Sequence, residues 1–207
     1  MGRKWSNENL AGALHYVTGN LVNRMRVFSD SACCEVFLKH LEDINRRWPA
    51  KLIAYVLMPD HFHLICNPRD GRIKEFIGEL KGLSAKAIIT ANRFFKFPDH
   101  GVEGQQVWQQ SFKATPLWSG WMIRQKINYI HANPVRAGLV ESAKDYQWTS
   151  FRSFYLQKDG PLPIDRKWAW PEDAEKLSSA IREINERKGK LPDFLAALKR
   201  SGGRPPS

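Results

Sequence analysis

The sequence predicts an α+β fold in which helices pack on a mostly antiparallel sheet. Three observations carry this reading. Short runs rich in β-branched and aromatic residues alternate with longer stretches whose apolar residues recur at helical spacing. Two of the short runs are separated only by Pro59-Asp60, a tight-turn pair that marks a hairpin. The resulting order is strand, helix, hairpin, helix, strand, helix, which suits one sheet with helices laid on it.

Taken in order, residues 14–23 (LHYVTGNLVN) are expected as a strand with one interior glycine. Ser29 or Asp30 caps a helix reaching about Arg47, where Val36, Phe37, Leu41 and Ile44 form the apolar stripe and Pro49 follows the end. Residues 52–58 (LIAYVLM) have buried-strand character, and residues 61–67 (HFHLICN) return as the second arm of the hairpin. A long basic amphipathic helix is expected over 73–94, a loop over 99–104 and a strand within 107–117. A final helix over 119–132 is expected to end at Asn133-Pro134, because proline disfavours helix in the residue before it. Beyond Tyr155 the pattern weakens. Pro161-Leu162-Pro163 reads as a linker, residues 174–188 as a short charged helix and SGGRPPS as a frayed end. The chain thus divides into a domain over 1–155 and a basic extension over 156–207.

Composition narrows the function. The chain of 207 residues carries 32 Lys and Arg against 21 Asp and Glu, a net charge of +11, which favours polyanionic partners. Aromatics such as Trp118 and Trp121 lie among the cations, a mixture that suits unpaired strands through base stacking and phosphate contact. Cys33, Cys34 and Cys66 form neither a disulfide framework nor a C-x-x-C zinc pair, and reduced thiols in the cytoplasm are expected. No apolar run approaches the ~20 residues of a membrane span.

Two short patterns carry chemistry. Side chains alternate along a strand, so His61 and His63 project from one face while Phe62 points to the other, and two imidazoles so placed are spaced for one metal ion. Tyr129 lies on the last predicted helix, with Asn133 one turn further along the same face. Each pattern has an ordinary structural explanation when taken alone. His131 points away from Tyr129 and reads as structural or surface.

Together, MPDHFHLI (58–65) and NYIHANPVRAGLV (128–140) strongly resemble the paired motifs of the HUH-type single-tyrosine transposases, in particular the REP-associated branch. HYVTGNLVNRMRVF, VWQQSF and YQWTSFRSF are similar to that branch as well, so the resemblance covers about 14–155. It implies a ferredoxin-like antiparallel sheet, with a catalytic helix following the last strand. It implies His61, His63 and Asn133 as protein ligands of a divalent ion, Mg²⁺ or Mn²⁺, and Tyr129 as the nucleophile. The implied reaction nicks and rejoins single-stranded, hairpin-forming DNA through a 5′-phosphotyrosine link, and a homodimer is implied too. The chain departs from the pattern at Lys113, where an acidic residue or histidine is expected, and in LWSGWM, which lacks an acidic first helical turn. Lys81, Lys86, Arg93, Lys113, Arg124, Lys126 and Arg136 are the candidate DNA contacts. Two other readings stay open: a non-catalytic nucleic-acid-binding module on the same fold, and a metal-dependent phosphoesterase that uses water.

Overall fold

The structure, a computed structural model, describes residues 7, 9–95 and 106–166, with the side chains of 91–95 left aside. The predicted loop at 99–104, the helix at 174–188 and the frayed end lie outside the described residues.

Four strands, β1 (Leu14–Asn20), β2 (Ala50–Met58), β3 (His61–Pro68) and β4 (Lys113–Leu117), form one antiparallel sheet in the order β2-β3-β1-β4. Helices α1 (Ser31–Arg47) and α2 (Ile73–Phe95) connect them, and α3 (Gly120–Arg136) and the short α4 (Phe151–Tyr155) follow. This is the α+β, ferredoxin-like arrangement expected, with a helix after the last strand. No described helix is long and apolar enough to cross a membrane.

Strand alternation sends two sets of side chains to two cores. On one face Val17, Leu57, Phe62 and Leu64 meet Phe37 and Leu41 of α1 and Phe76 and Leu80 of α2. On the other, Tyr16, Val56, Met58 and Ile65 meet Ile123, Ile127 and Ile130 of α3. A bulge between Leu52 and Ala54 sends both Ile53 and Ala54 to the α3 side. Gly19 pairs with Phe62, and a Cβ there would overlap the Phe62 ring, so the interior glycine of β1 is a packing requirement. The ring it admits is fully buried between Phe37 and Trp108. Cys33, Cys34 and Cys66 are free and buried.

The helix ends follow local chemistry, with one correction. Asp30, not Ser29, caps α1, its Oδ1 accepting from the Ala32 N–H at 2.8 Å. The last helix does not stop at Asn133-Pro134 but runs on to Arg136. Proline loses its own hydrogen bond and crowds the carbonyl four residues back, and here both costs fall near the helix's end, where Pro134 is buried. The stop belongs to Gly138 at φ +67°, where Gly138 N–H donates to Val135 O at 3.0 Å and Leu139 N–H to Pro134 O at 2.9 Å, a Schellman closure.

Groups from outside the strands hydrogen-bond to both outer edges of the sheet. Asn7 takes the β4 edge, donating to Phe112 O at 3.1 Å and accepting from Ala114 N–H at 2.8 Å. On the β2 edge, Leu57 N–H donates to Trp148 O at 2.9 Å and Ser150 N–H to Tyr55 O at 3.0 Å. Further along β2, Asp165 N–H donates to Leu52 O at 2.7 Å while its carboxylate accepts from Leu52 N–H at 2.9 Å. The segment expected as a linker is therefore packed: Leu162 is buried, and its N–H donates to the Tyr55 hydroxyl at 3.1 Å.

Candidate active site

The hairpin turn that precedes His61 is fixed from outside. Leu21 N–H donates to Asp60 O and Phe28 N–H to Pro59 O, both at 3.0 Å. From this anchored turn β3 carries His61 and His63 on the face that α3 covers, and their rings lie 4.8 Å apart between centroids, nearly perpendicular at 75°. His61 Nδ1 lies 2.6 Å from the Asp60 carboxylate, which also receives Arg24 at 3.1 Å. Burial raises the Asp60 carboxyl, but hydrogen bonds and charges from His61 and Arg24 outweigh that and hold it below the usual carboxylate range.

His63 is deeper, at 4% exposure. The hydroxyl oxygens of Tyr16 and Thr18, from the neighbouring strand, lie 2.8 and 2.9 Å from its Nδ1. Burial first, then the charges of His61 and Lys126, push its pKa down to about 3, so the ring is neutral at physiological pH, as a metal ligand must be. Burial also raises the Tyr16 hydroxyl above the ordinary tyrosine value.

Tyr129, on α3, comes to this pair from above. Its ring meets His63 edge-on at 5.5 Å and Tyr16 at 6.2 Å, yet it is 37% exposed and open to a substrate. Cations surround it. The Lys126 ammonium lies 4.9 Å from the Tyr16 ring centre and 5.6 Å from that of Tyr129, with the Arg136 guanidinium 5.7 Å from Tyr129. Burial, with Lys113 adding to it, lowers the pKa of Lys126. Asn133, one turn beyond Tyr129, is half-buried, and its Nδ2 is buried without a hydrogen-bond partner.

The donor set suits one small divalent ion. Two imidazoles bound to one ion at ~2.1 Å and roughly 90–110° apart bring their ring centres to about 4.6–5.3 Å. The observed 4.8 Å fits that range. Asp60 occupies Nδ1 of His61, which leaves its Nε2 for a metal; at His63 the hydroxyls lie nearest Nδ1, with the Tyr16 oxygen 3.5 Å from Nε2. Among the described residues no three His, Cys, Asp or Glu side chains converge. Asn133, the third ligand that the resemblance implies, would have to offer its Oδ1, since the unpartnered atom, Nδ2, is a hydrogen-bond donor.

The candidate DNA contacts divide by position. Lys113 pairs across the sheet with Thr18, next to the site, and Lys126 and Arg136 border Tyr129. Arg124 is exposed on α3. Lys86 is exposed on α2, which lies across the sheet from the histidines. The side chain of Arg93 lies outside the described residues. Lys81 is buried instead, donating to Gln109 O at 2.7 Å and Ser111 O at 3.2 Å, and burial brings its pKa down to about 8. Trp108 is likewise a core residue, its indole N–H donating to Ser84 Oγ at 3.1 Å. His131 is structural: it is buried, and its Nε2 pairs with Ser150 Oγ at 2.8 Å. Sequence reasoning missed Tyr16, Thr18, Asp60 and Arg24. Alternation along β1 puts Tyr16 and Thr18 on one face, but their meeting with His63 depends on a strand register that no local pattern records.

A sheet that presents two histidines to a tyrosine on a following helix defines a class of enzymes that break and rejoin nucleic-acid strands. The chain belongs to the family described as "Transposase IS200 like", which matches residues 13–133, and it is an enzyme, an HUH-type single-tyrosine transposase. Among its relatives is the putative REP-associated tyrosine transposase of Haemophilus influenzae, 25% identical over 142 residues, which cover 68% of this chain and 80% of that protein. The REP-associated tyrosine transposase of Escherichia coli K12 is 23% identical over 177 residues, covering 85% and 95% respectively. A solved structure of a REP-associated tyrosine transposase bound to a REP hairpin superposes with a TM-score of 0.61 at 18% identity. It covers 83% of this chain and 98% of that one, and shows the shared fold.

Proposed function

We propose that this transposase nicks and rejoins single-stranded DNA that folds into a hairpin, with Tyr129 as the nucleophile. One observation carries the reading: Tyr129 stands edge-on to His63 at 5.5 Å, partly exposed and bordered by cations. The Tyr129 hydroxyl attacks phosphorus, its oxygen forms the new bond, and the bond from phosphorus to the 3′ oxygen breaks. The products are a 5′-phosphotyrosine and a free 3′-hydroxyl. Attack by another 3′-hydroxyl reverses the step and rejoins strands without ATP, because the phosphodiester energy is conserved in the tyrosine ester.

A tyrosine hydroxyl has a pKa near 10 and is a poor nucleophile unaided. His61, His63 and Asn133 would hold Mg²⁺ or Mn²⁺, which supplies Lewis-acid polarisation of the scissile phosphate. Lys126, Lys113 and Arg136 bind phosphate oxygens and offset the charge that develops on the transferring phosphoryl group. Arg124, Lys86 and Arg93 would serve more distant phosphates. Tyr16 and Thr18 hold the His63 ring in place. We assign this activity to residues 1–155 together with the packed stretch to Asp165, and read the remainder as an extension. A homodimer belongs to the same reading, with Tyr129 offered to the histidines by the same chain or by an exchanged helix of a second copy.

The test is a labelled single-stranded hairpin incubated with Mn²⁺ and resolved under denaturing conditions. A covalent protein–DNA adduct is expected, absent in Tyr129→Phe and reduced in His61→Ala. Cleavage without an adduct would favour a water nucleophile, binding without cleavage a non-catalytic module. An adduct that persists in Tyr129→Phe removes Tyr129 from its role.

A further inference from the structure

We infer that Asp60, held by Arg24, is a positioning residue that fixes the ring of His61 for metal binding. This rests on the proposal that His61 is a ligand, and extends it to residues outside the tetrad.

The geometry is directional. Asp60 Oδ1 lies 2.6 Å from His61 Nδ1, within the short range of charge-assisted hydrogen bonds. A carboxylate only accepts, so Nδ1 carries a proton, and in the neutral ring it is Nε2 that holds the lone pair a metal needs. The other carboxylate oxygen, Oδ2, receives Arg24 Nη1 at 3.1 Å, which restrains the carboxylate's rotation. The order of exposure agrees with a relay from solvent inward: the side chains of Arg24, Asp60 and His61 are 61%, 26% and 17% exposed.

The segment that brings Arg24 to Asp60 holds an uncommon backbone. Asn23 and Arg24 both lie in the left-handed region, at φ 50° and 56°, a conformation that side-chain-bearing residues rarely adopt twice in succession. Neighbouring hydrogen bonds enforce it: Leu21 N–H reaches Asp60 O at 3.0 Å and Val22 N–H reaches Val107 O at 3.0 Å. The same segment therefore grips the turn by its backbone and the carboxylate by a side chain. His63 has hydroxyls for this purpose; His61 has Asp60.

The experiment uses the full chain and Mn²⁺ alone as the probe. Mn²⁺ affinity is measured by titration calorimetry or electron paramagnetic resonance, and the His61 tautomer by ¹⁵N chemical shifts in the metal-free protein. Asp60→Ala is expected to weaken Mn²⁺ binding about 10- to 100-fold and to lose the Nδ1–H tautomer. Asp60→Asn keeps an acceptor oxygen, so it is expected to retain the tautomer while losing part of the affinity. Arg24→Ala is expected to fall between Asp60→Asn and the unchanged protein. Unaltered affinity and tautomer in Asp60→Ala overturn the inference. If Asp60→Ala fails to fold, Asp60→Asn decides: reduced affinity supports the role, and unchanged affinity overturns it. His61→Ala separates the two levels. If it binds Mn²⁺ and forms the adduct normally, the proposed ligand set has failed; if it loses both while Asp60→Ala does not, only the role of Asp60 has.

Discussion

The Tyr16 hydroxyl lies 2.8 Å from Nδ1 of His63, and the two rings stack with centres 5.2 Å apart. One strand thus supplies a buried side chain that both packs against a candidate ligand and bonds to it. Lys126 and Tyr129 also lie against the Tyr16 ring, at 4.9 Å and 6.2 Å from its centre, so a single residue of β1 meets the histidine, the cation and the proposed nucleophile.

Removing that hydroxyl separates orientation from packing. Tyr16→Phe keeps the ring but leaves Thr18 alone at His63 Nδ1. We expect a stability loss of about 1 kcal/mol in urea denaturation, typical of one hydrogen bond, and roughly tenfold weaker Mn²⁺ binding. The double variant Tyr16→Phe/Thr18→Val should weaken binding further than either alone. Unchanged Mn²⁺ affinity in the double variant would show that the hydroxyls serve the core only.

Acid should unfold the domain in part through its buried histidines. Burial brings the His131 pKa down to about 4 from an ordinary value near 6.5. The unfolded chain therefore binds a proton in a range where the folded one does not. The stabilising contribution is complete above pH 6.5 and is lost as pH falls towards 4, with a slope of at most about 1.4 kcal/mol per pH unit. His63, brought to about 3, adds to the same window and extends it. Urea midpoints collected between pH 7 and pH 4.5 should fall steadily, and His131→Gln should flatten the curve. A curve of the same steepness in that variant would assign the loss to other groups.

The cations should not behave alike. Lys113→Ala and Lys126→Ala are expected to weaken binding of a single-stranded hairpin and each to lower the magnitude of the salt slope by about one. Lys81→Met should leave the slope alone and instead lower the melting temperature, because its ammonium satisfies Gln109 O and Ser111 O. Filter binding across a salt series, paired with thermal melts, tests both halves. A reduced slope in Lys81→Met would contradict the burial assigned to it.

Periodicity made the local elements legible. Alternation at His61, Phe62 and His63 and the one-turn spacing of Tyr129 and Asn133 were readable because each depends on nothing beyond its own strand or helix. Pro134 misled because a boundary rule concerning two adjacent residues competed with Gly138, whose left-handed closure lies four residues later. Lys81 was unreadable as a core cation, since the carbonyls it satisfies belong to a segment about 30 positions away. Leu162 looked like part of a linker because its flanking prolines are local, whereas the Tyr55 hydroxyl that receives its N–H is 107 positions distant. Asp60 was read as half of a turn, which it is; its carboxylate's second occupation needs Arg24 to arrive from another segment.

Asp165 also decides where this chain can safely be cut. It closes the outer rim of β2 at Leu52, far past the last motif residue. A fragment ending at Tyr155 would keep all of the proposed catalytic groups, and the cover that Trp148 and Ser150 give to Leu57 and Tyr55, yet leave the amide and carbonyl of Leu52 bare on the rim of an apolar strand. Such a rim is adhesive, inviting other copies to add strands in register. A soluble minimal fragment should therefore end after Asp165, and one cut ten residues earlier should precipitate while still containing every group needed for chemistry.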